Sequence, residues 1–288
     1  MRYQTPADFR SALEQRLANQ ATEAGVRVDR LRRLTVFERI LARLTVSDPG
    51  MWVIKGGLAL EYRWPAHART TKDLDLATRL EPTDGAQLHE HLMTVLAQDP
   101  DGDRFVFVVS PPKLLRSDQA GRPGWRFSIR SKLAGREFDT VTVDIVQRME
   151  EIAETEVVAA PNSLAFAEIP SREVEMVTTA QHFAEKLHAL TRDYGRESTR
   201  VRDLVDIALL IERGNVAPAA AMTTATAVFE IRDAHVVPTT IPDPPVDWAD
   251  RYTSLAAEVG LRARSIAEAM DLLRAFWAAA CTATDDRS

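Results

Sequence analysis

The chain has 288 residues, of which 45% are hydrophobic and 27% charged, as is typical of a globular protein and not of fibrous or low-complexity classes. Its 36 Lys and Arg against 42 Asp and Glu give a net charge of -6, so an anionic partner must meet a local basic patch. One cysteine cannot form an internal disulfide, and no apolar run reaches the roughly 18 residues that cross a bilayer. We therefore expect a cytoplasmic protein without a membrane anchor.

Helical patterns open the chain at residues 6–24 and 28–44. A mixed region follows, with strands predicted at residues 51–54, 72–77, 104–109, 125–133 and 138–146 and helices at 58–63 and 82–98. From Pro170 onward only helices are predicted, at residues 178–194, 199–213, 218–233, 246–259 and 265–281. The sequence thus predicts two domains, an α/β domain at residues 1–170 and a helical domain at residues 171–288.

Three acidic residues in predicted strands indicate a metal site. Asp73 and Asp75 project from the same face of one strand, because side chains alternate along a strand. Carboxylates this close repel each other unless a cation lies between them, and Mg²⁺ prefers such oxygen ligands. Asp144 lies between two apolar residues of another strand and is a candidate third ligand. The alternative for all three is the solvated face of a half-exposed strand.

Glycines and a lysine suggest phosphate binding. Gly56 and Gly57 follow a predicted strand and precede a helix, where backbone N–H groups can approach a phosphate, although a simple tight turn has the same pattern. Lys186 lies off the apolar face of its helix and can reach phosphate oxygens, unless it is an ordinary surface lysine. Asp203 can orient Lys186 or a sugar hydroxyl, whereas Asp206 has the spacing of a surface ion pair with Arg202.

These motifs occur in the order GG, RTTKDLDL, a strand aspartate, AEKLHAL and RVRDLVDIALL. The set resembles the AbiEii-type nucleotidyltransferase toxins of type IV toxin–antitoxin systems, which include the mycobacterial MenT proteins. The resemblance covers residues 51–146 and 178–211. It implies an α/β (α+β) fold of the polymerase-β-like nucleotidyltransferase superfamily, in which a mixed-sheet lobe and a C-terminal helical lobe form the active-site cleft.

The resemblance also implies roles for individual residues. Asp73 and Asp75 match the metal-binding acids, and Asp144 matches the third acid of the superfamily. Gly56 and Gly57 match the glycine turn, and Lys186 matches the lysine that contacts the nucleotide phosphates. Asp203 or Asp206 matches the acid of the last motif. Thr71 matches a hydroxyl residue that is phosphorylated in some relatives.

The implied activity is Mg²⁺-dependent transfer of a nucleoside monophosphate from an NTP to the 3′ end of tRNA, which blocks translation. An antitoxin encoded nearby is the implied protein partner. A basic predicted hairpin then becomes a candidate RNA-binding surface through Arg122, Arg126, Arg130 and Lys132. Two alternatives are transfer to a small hydroxylated molecule or a protein hydroxyl, and a catalytically inactive homologue that binds a partner.

Overall fold

The computed structural model describes residues 3–82, 84–115, 123–147, 149–152, 154–192 and 200–285. Two long helices open the chain, α1 at Pro6–Ala24 and α2 at Val28–Ser47. Helix α1 begins where the Thr5 side chain accepts a hydrogen bond from the backbone N–H of Asp8, and it ends at Gly25 in the left-handed region. Both helices were predicted from their apolar periodicity.

A mixed eight-stranded sheet occupies the centre of the described residues. Its strands are β1 at Trp52–Lys55, β2 at Asp73–Thr78, β3 at Val106–Val109, β4 at Lys113–Leu114, β5 at Gly124–Leu133, β6 at Arg136–Val146, β7 at Thr155–Ala159 and β8 at Glu173–Val177. The spatial order is β3-β5-β6-β2-β1-β8-β7, and β4 pairs with β5 outside this path. Between them lie α3 at Gly56–Arg63 and α4 at Gly85–Leu96.

Strand register aligns the residues that matter for the site. Strand β2 runs parallel to β6, which places Asp75 beside Asp144, and antiparallel to β1, which places Asp75 beside Lys55. The β5–β6 hairpin places Arg126 on the other side of Asp144. Residues directly opposite each other on paired strands share a face of the sheet. One sheet face therefore carries a row of four charged residues.

Helices fill the C-terminal part of the chain: α5 at Thr179–Thr191, α6 at Val201–Arg213, α7 at Pro218–Arg232, α8 at Ala249–Val259 and α9 at Ile266–Asp285. Two apolar cores result, one between the sheet and helices α1, α2 and α4, the other among helices α5 to α9. Leu60 and Ala68, which flank the turn into β2, belong to the second core and tie the sheet to the helices.

Three strands, the short β4 and the strands β7 and β8, lie where the sequence predicted none. β8 pairs with β1 in parallel, and β7 pairs with β8 as the outer strand. Strand β8 lies within residues 171–288, which the sequence assigned to the helical domain, and yet it extends the sheet of the first part. The helix α5 follows β8 directly, with only Thr178 between them as its N-cap. The division at residue 170 stays a prediction.

Candidate active site

The first half of the site is the row of charged side chains across the sheet. Asp73 and Asp75 lie on the same face of β2, and the intervening Leu74 and the following Leu76 are fully buried on the other face. Burial raises the pKa of Asp75 to about 6, and the neighbouring carboxylate of Asp144 adds to this rise. Negative charge is thus concentrated at the point where β2 begins.

Gly56 and Gly57 form a turn that packs directly against side chains of the site. Gly56 has a φ of +59°, and a Cβ atom there would lie 2.0 Å from the Oδ2 atom of Asp75. A Cβ atom on Gly57 would lie 2.8 Å from the Oγ1 atom of Thr71. Any side chain at either position would displace an oxygen of the site, so both glycines are required by close approach and the first also by its backbone conformation.

The second half of the site is a buried ionic cluster formed by side chains of helices α5 and α6. The Nζ atom of Lys186, on α5, lies 2.8 Å from the Oδ1 atom of Asp203 and 2.8 Å from the Oδ2 atom of Asp206, both on α6. Burial alone would lower the pKa of Lys186, but the two carboxylates outweigh it and hold that pKa above its ordinary value. Lys186 is therefore a fixed cation, neutralised in the resting protein by two acids.

Arg69 completes this cluster, and sequence reasoning missed it. Its Nε and Nη2 atoms donate to the two carboxylate oxygens of Asp206, each at 2.9 Å. Burial would raise the pKa of Asp206, but Lys186 and Arg69 lower it to about 2. The spacing of Asp206 and Arg202 is that of a surface ion pair, whereas the Asp206 side chain is only 1% exposed and is packed against Arg69 and Lys186. The one sequence signal that could have identified Arg69 is its position at the start of the RTTKDLDL segment.

Lys55 is a second cation that sequence reasoning missed. It lies beside Asp75 in the sheet register, and its Nζ atom is 2.9 Å from the Oε1 atom of Glu185 on α5. The neighbouring His182 is 1% exposed, and neither of its ring nitrogens has a hydrogen-bond partner among the residues that the structure describes. Burial holds the pKa of His182 well below its ordinary value, and Lys186 lowers it further. The imidazole is therefore neutral and adds no charge beside Lys186.

A polar cavity of about 170 Å³ joins the two halves. The residues that line it are Gly57, Arg69, Thr70, Thr71, Lys72, Asp73, Asp75, Lys186 and Arg202. Lys72 and Arg202 are exposed at this cavity, and neither makes an ion pair within the described ranges of the chain. The cavity thus presents two carboxylates on one side and two unpaired cations at its mouth, which is a suitable environment for a polyanion bound together with a metal ion.

Asp144 is engaged differently from the other two acids. Arg126, on the neighbouring β5, donates to both carboxylate oxygens of Asp144, from Nε at 2.7 Å and from Nη2 at 2.6 Å. Among the described residues, no three His, Cys, Asp or Glu side chains come together as a metal-binding group. The oxygens of Asp73 and Asp75, on one face and at one cavity, still fit a hard divalent cation such as Mg²⁺.

The other candidates lie around this centre. Thr71 is 7% exposed, and its hydroxyl donates to the backbone carbonyl of Asp73 at 3.0 Å. Arg130 and Lys132 follow Arg126 along β5, and Arg130 lies 3.7 Å from Glu137. Arg122 lies outside the described residues. Trp125 and Phe127, which alternate with Arg126 on β5, are packed in the core rather than presented for stacking on a base.

Comparison with protein families identifies the chain. The family described as nucleotidyl transferase AbiEii toxin, type IV toxin–antitoxin system, matches residues 39–280. The protein belongs to the AbiEii nucleotidyltransferase toxin family. The match covers both the sheet and the C-terminal helices, so this AbiEii family member has the mixed α/β fold with a helical C-terminal part that its motifs implied.

Solved structures are also similar to this AbiEii family chain. JHP933 from Helicobacter pylori is 14% identical with a TM-score of 0.45, over 90% of this chain and 98% of that one. A Helicobacter pylori protein provisionally assigned as a nucleotidyltransferase is 15% identical with a TM-score of 0.47, over 91% and 99%. An antigenic nucleotidyltransferase-like protein from Paracoccidioides brasiliensis is 15% identical with a TM-score of 0.38, over 72% and 95%. No curated protein matches the chain.

No helix within the described part of this AbiEii family chain has the length and apolar character needed to cross a bilayer.

Proposed function

We propose that the protein transfers a nucleoside monophosphate from an NTP to the 3′ end of tRNA in the cytoplasm, in a Mg²⁺-dependent reaction that blocks translation. The observation that carries the proposal is the convergence of Asp73, Asp75 and Lys186 on one polar cavity, although they come from the sheet and from a helix more than a hundred residues later. Such a cavity can hold a triphosphate between carboxylate-bound metal and fixed cations.

The acids of the sheet and the lysine of helix α5 have different proposed roles. Asp73 and Asp75 would hold Mg²⁺, which when bound neutralises phosphate charge and stabilises the leaving pyrophosphate. The ammonium of Lys186 has three N–H donors and two carboxylate contacts, and it lines the cavity, so one donor remains for a phosphate oxygen there. The rigid pairing with Asp203 and Asp206 keeps this ammonium in place and charged before the nucleotide arrives.

The turn at Gly56 and Gly57 supports phosphate binding in a second way. It ends strand β1 and opens helix α3, and Gly57 itself lines the cavity. Backbone N–H groups at the start of a helix attract anions, and the absence of a Cβ atom lets a phosphate oxygen approach the backbone. This turn is therefore the proposed cradle for the phosphates of the NTP.

The proposed acceptor surface is the open sheet face beyond Arg126. Arg130 and Lys132 are on the same strand as Arg126, four and six residues after it, and they lie on the side of the sheet that carries Asp144. Cations of this kind contact phosphates without reading sequence, and their binding is sensitive to salt. This arrangement favours an RNA acceptor over a small uncharged molecule.

Transfer can be tested with each α-³²P-labelled NTP, Mg²⁺ and total tRNA. We expect label from at least one NTP to enter tRNA, and none to enter tRNA whose 3′-terminal diol has been oxidised with periodate. Asp73→Ala should abolish labelling, whereas Asp271→Ala, on the exposed side of α9, should not. Absence of label with every NTP, from a folded wild-type protein, would refute the RNA acceptor.

A second variant separates an RNA acceptor from a small one. Charge reversal in Arg130→Glu with Lys132→Glu should weaken tRNA labelling most strongly at low salt and make it less sensitive to salt, because two phosphate contacts are lost. Unchanged labelling across a salt series would show that this face does not hold the acceptor, and transfer to a small hydroxylated molecule or a protein hydroxyl would then be the better account.

The regulatory proposals concern Thr71 and an antitoxin. We propose that a cognate antitoxin is encoded beside this protein, as the family of type IV toxin–antitoxin systems suggests. Thr71 lines the cavity, so a phosphate on its hydroxyl would occupy the space proposed for the NTP phosphates. Co-expression with the neighbouring reading frame should relieve growth arrest, and mass spectrometry of the recovered protein should show whether Thr71 is modified.

A further inference from the structure

Four charged residues cross the sheet face in one row, in the order Arg126, Asp144, Asp75 and Lys55. The two acids are adjacent in the middle, and each has a cation on its outer side. The two ends differ, because the Nζ atom of Lys55 pairs with Glu185 on α5, while Arg126 pairs with Asp144 through both carboxylate oxygens. The charge of Asp144 is therefore neutralised by the chain itself.

The Arg126 contact has the geometry of a strong pair. The planar guanidinium matches a carboxylate with two parallel hydrogen bonds, and arginine keeps its charge at every pH of interest. The Asp144 side chain is 14% exposed and that of Arg126 is 47% exposed, so the pair closes the solvent side of the acid. A divalent ion approaching Asp144 would have to displace the guanidinium or bind directly beside its positive charge.

From this geometry we propose that Arg126 is a positioning residue that takes the place of a second metal ion. The inference rests on the proposed metal-dependent function. Asp73 and Asp75 bind one divalent ion at the cavity, and Arg126 holds Asp144 out of the metal centre and supplies the positive charge on that side of the row. Removal of the guanidinium would release a third carboxylate beside Asp75 and create a second ion site.

The test is the number of Mn²⁺ ions bound per chain, measured by electron paramagnetic resonance on the full-length protein with a non-hydrolysable NTP analogue. We expect one ion for the wild type and two for Arg126→Ala. Adding Asp144→Asn to Arg126→Ala should return the number to one, and Asp144→Asn alone should leave it at one. Arg130→Ala, four residues farther along the same face of β5, is the matched control and should also bind one. Thermal melts identify variants that remain folded.

Three results would overturn the proposal. Two ions in the wild type would show that Arg126 does not prevent Asp144 from binding a metal ion. Loss of the bound ion in Asp144→Asn would show that Asp144 is a metal ligand despite its pairing with Arg126. An unchanged single ion in both Arg126→Ala and the double variant would show that Arg126 does not control the number of sites. Absence of Mn²⁺ from the wild type would instead refute the metal centre, and with it the proposed function.

Discussion

Replacement of Asp206 with Asn removes the charge that two buried cations share. The Asp206 carboxylate accepts two hydrogen bonds from Arg69 and lies 2.8 Å from the Nζ atom of Lys186. An amide at this position can accept from only one of these partners through its oxygen, and its NH₂ group would face a cation. The Asp206→Asn variant should therefore be less stable and should hold Lys186 less firmly.

The magnitude follows from the burial and the pKa of this group. A pKa lowered to about 2 corresponds to about 2 kcal/mol in favour of the ionised, paired form. Breaking a buried ion pair by removing one partner costs about 3 to 5 kcal/mol in general. Lys186 keeps its contact with Asp203, so we expect a smaller loss than this general range, about 2 to 3 kcal/mol in the free energy of unfolding.

Urea unfolding followed by circular dichroism measures this loss, with Asp271→Asn on the exposed side of α9 as the matched control, expected within about 0.5 kcal/mol of wild type. Because the pKa of Asp206 is lower in the folded chain than in the unfolded chain, its contribution is complete above about pH 4 and declines as the pH falls toward 2. Equal stability of wild type and Asp206→Asn at pH 7 would refute the reasoning.

Three further changes have distinct expected outcomes. Gly56→Ala and Gly102→Ala both place a Cβ atom at positive φ, which should lower the free energy of unfolding by about 1 to 2 kcal/mol each. Only Gly56→Ala should abolish nucleotidyl transfer, because only there would the Cβ atom displace Asp75. Arg202→Ala should raise the KM for the NTP about tenfold in steady-state assays and leave the melting temperature unchanged, because this residue is exposed at the cavity. Trp277→Ala should lower the free energy of unfolding by about 3 to 5 kcal/mol in urea, because its side chain is 1% exposed within the helical core.

The sheet half of the site was largely predictable. Alternation in the segments DLDL and VTVDIV places the acids on the polar face of their strands, since side chains alternate with a period of two. That the two strands are neighbours, and that Asp75 aligns with Asp144, depends on the strand order and register. Nothing in a single sequence specifies which strands pair, so the row of charges could not be derived in advance.

The helical half was less predictable, because its contacts join distant parts of the chain. Arg69 and Asp206 are 137 residues apart, and no local pattern distinguishes this arginine from the others near it. The spacing of Arg202 and Asp206 is correct for a surface pair on an exposed helix. Helix α6 is instead packed between other helices, and Asp206 is on a buried side, where only long-range partners can balance its charge.

Strands β7 and β8 were missed for a local reason. The segments TEVVA and EVEMV mix glutamate with valine over only five residues each, too short to distinguish a strand from a connecting segment. Strand β8 is defined by its pairing with β1, where Val53 and Ile54 align with Glu175 and Met176, and β7 is defined by its pairing with β8. Pairing with an already formed strand, rather than intrinsic propensity, determines their structure.

The position of β8 has a practical consequence for dividing the chain. A fragment that stops near residue 170 would contain β7 but lack β8, the strand that lies between β7 and β1. One side of β1 would then have backbone N–H and C=O groups without hydrogen-bond partners, and β7 would lose its partner strand. Bare strand edges of this kind recruit other chains and promote aggregation. Fragments intended for separate expression should therefore keep residues 155–177 with the N-terminal part, and a soluble piece is more readily obtained by cutting after Val177 than before it.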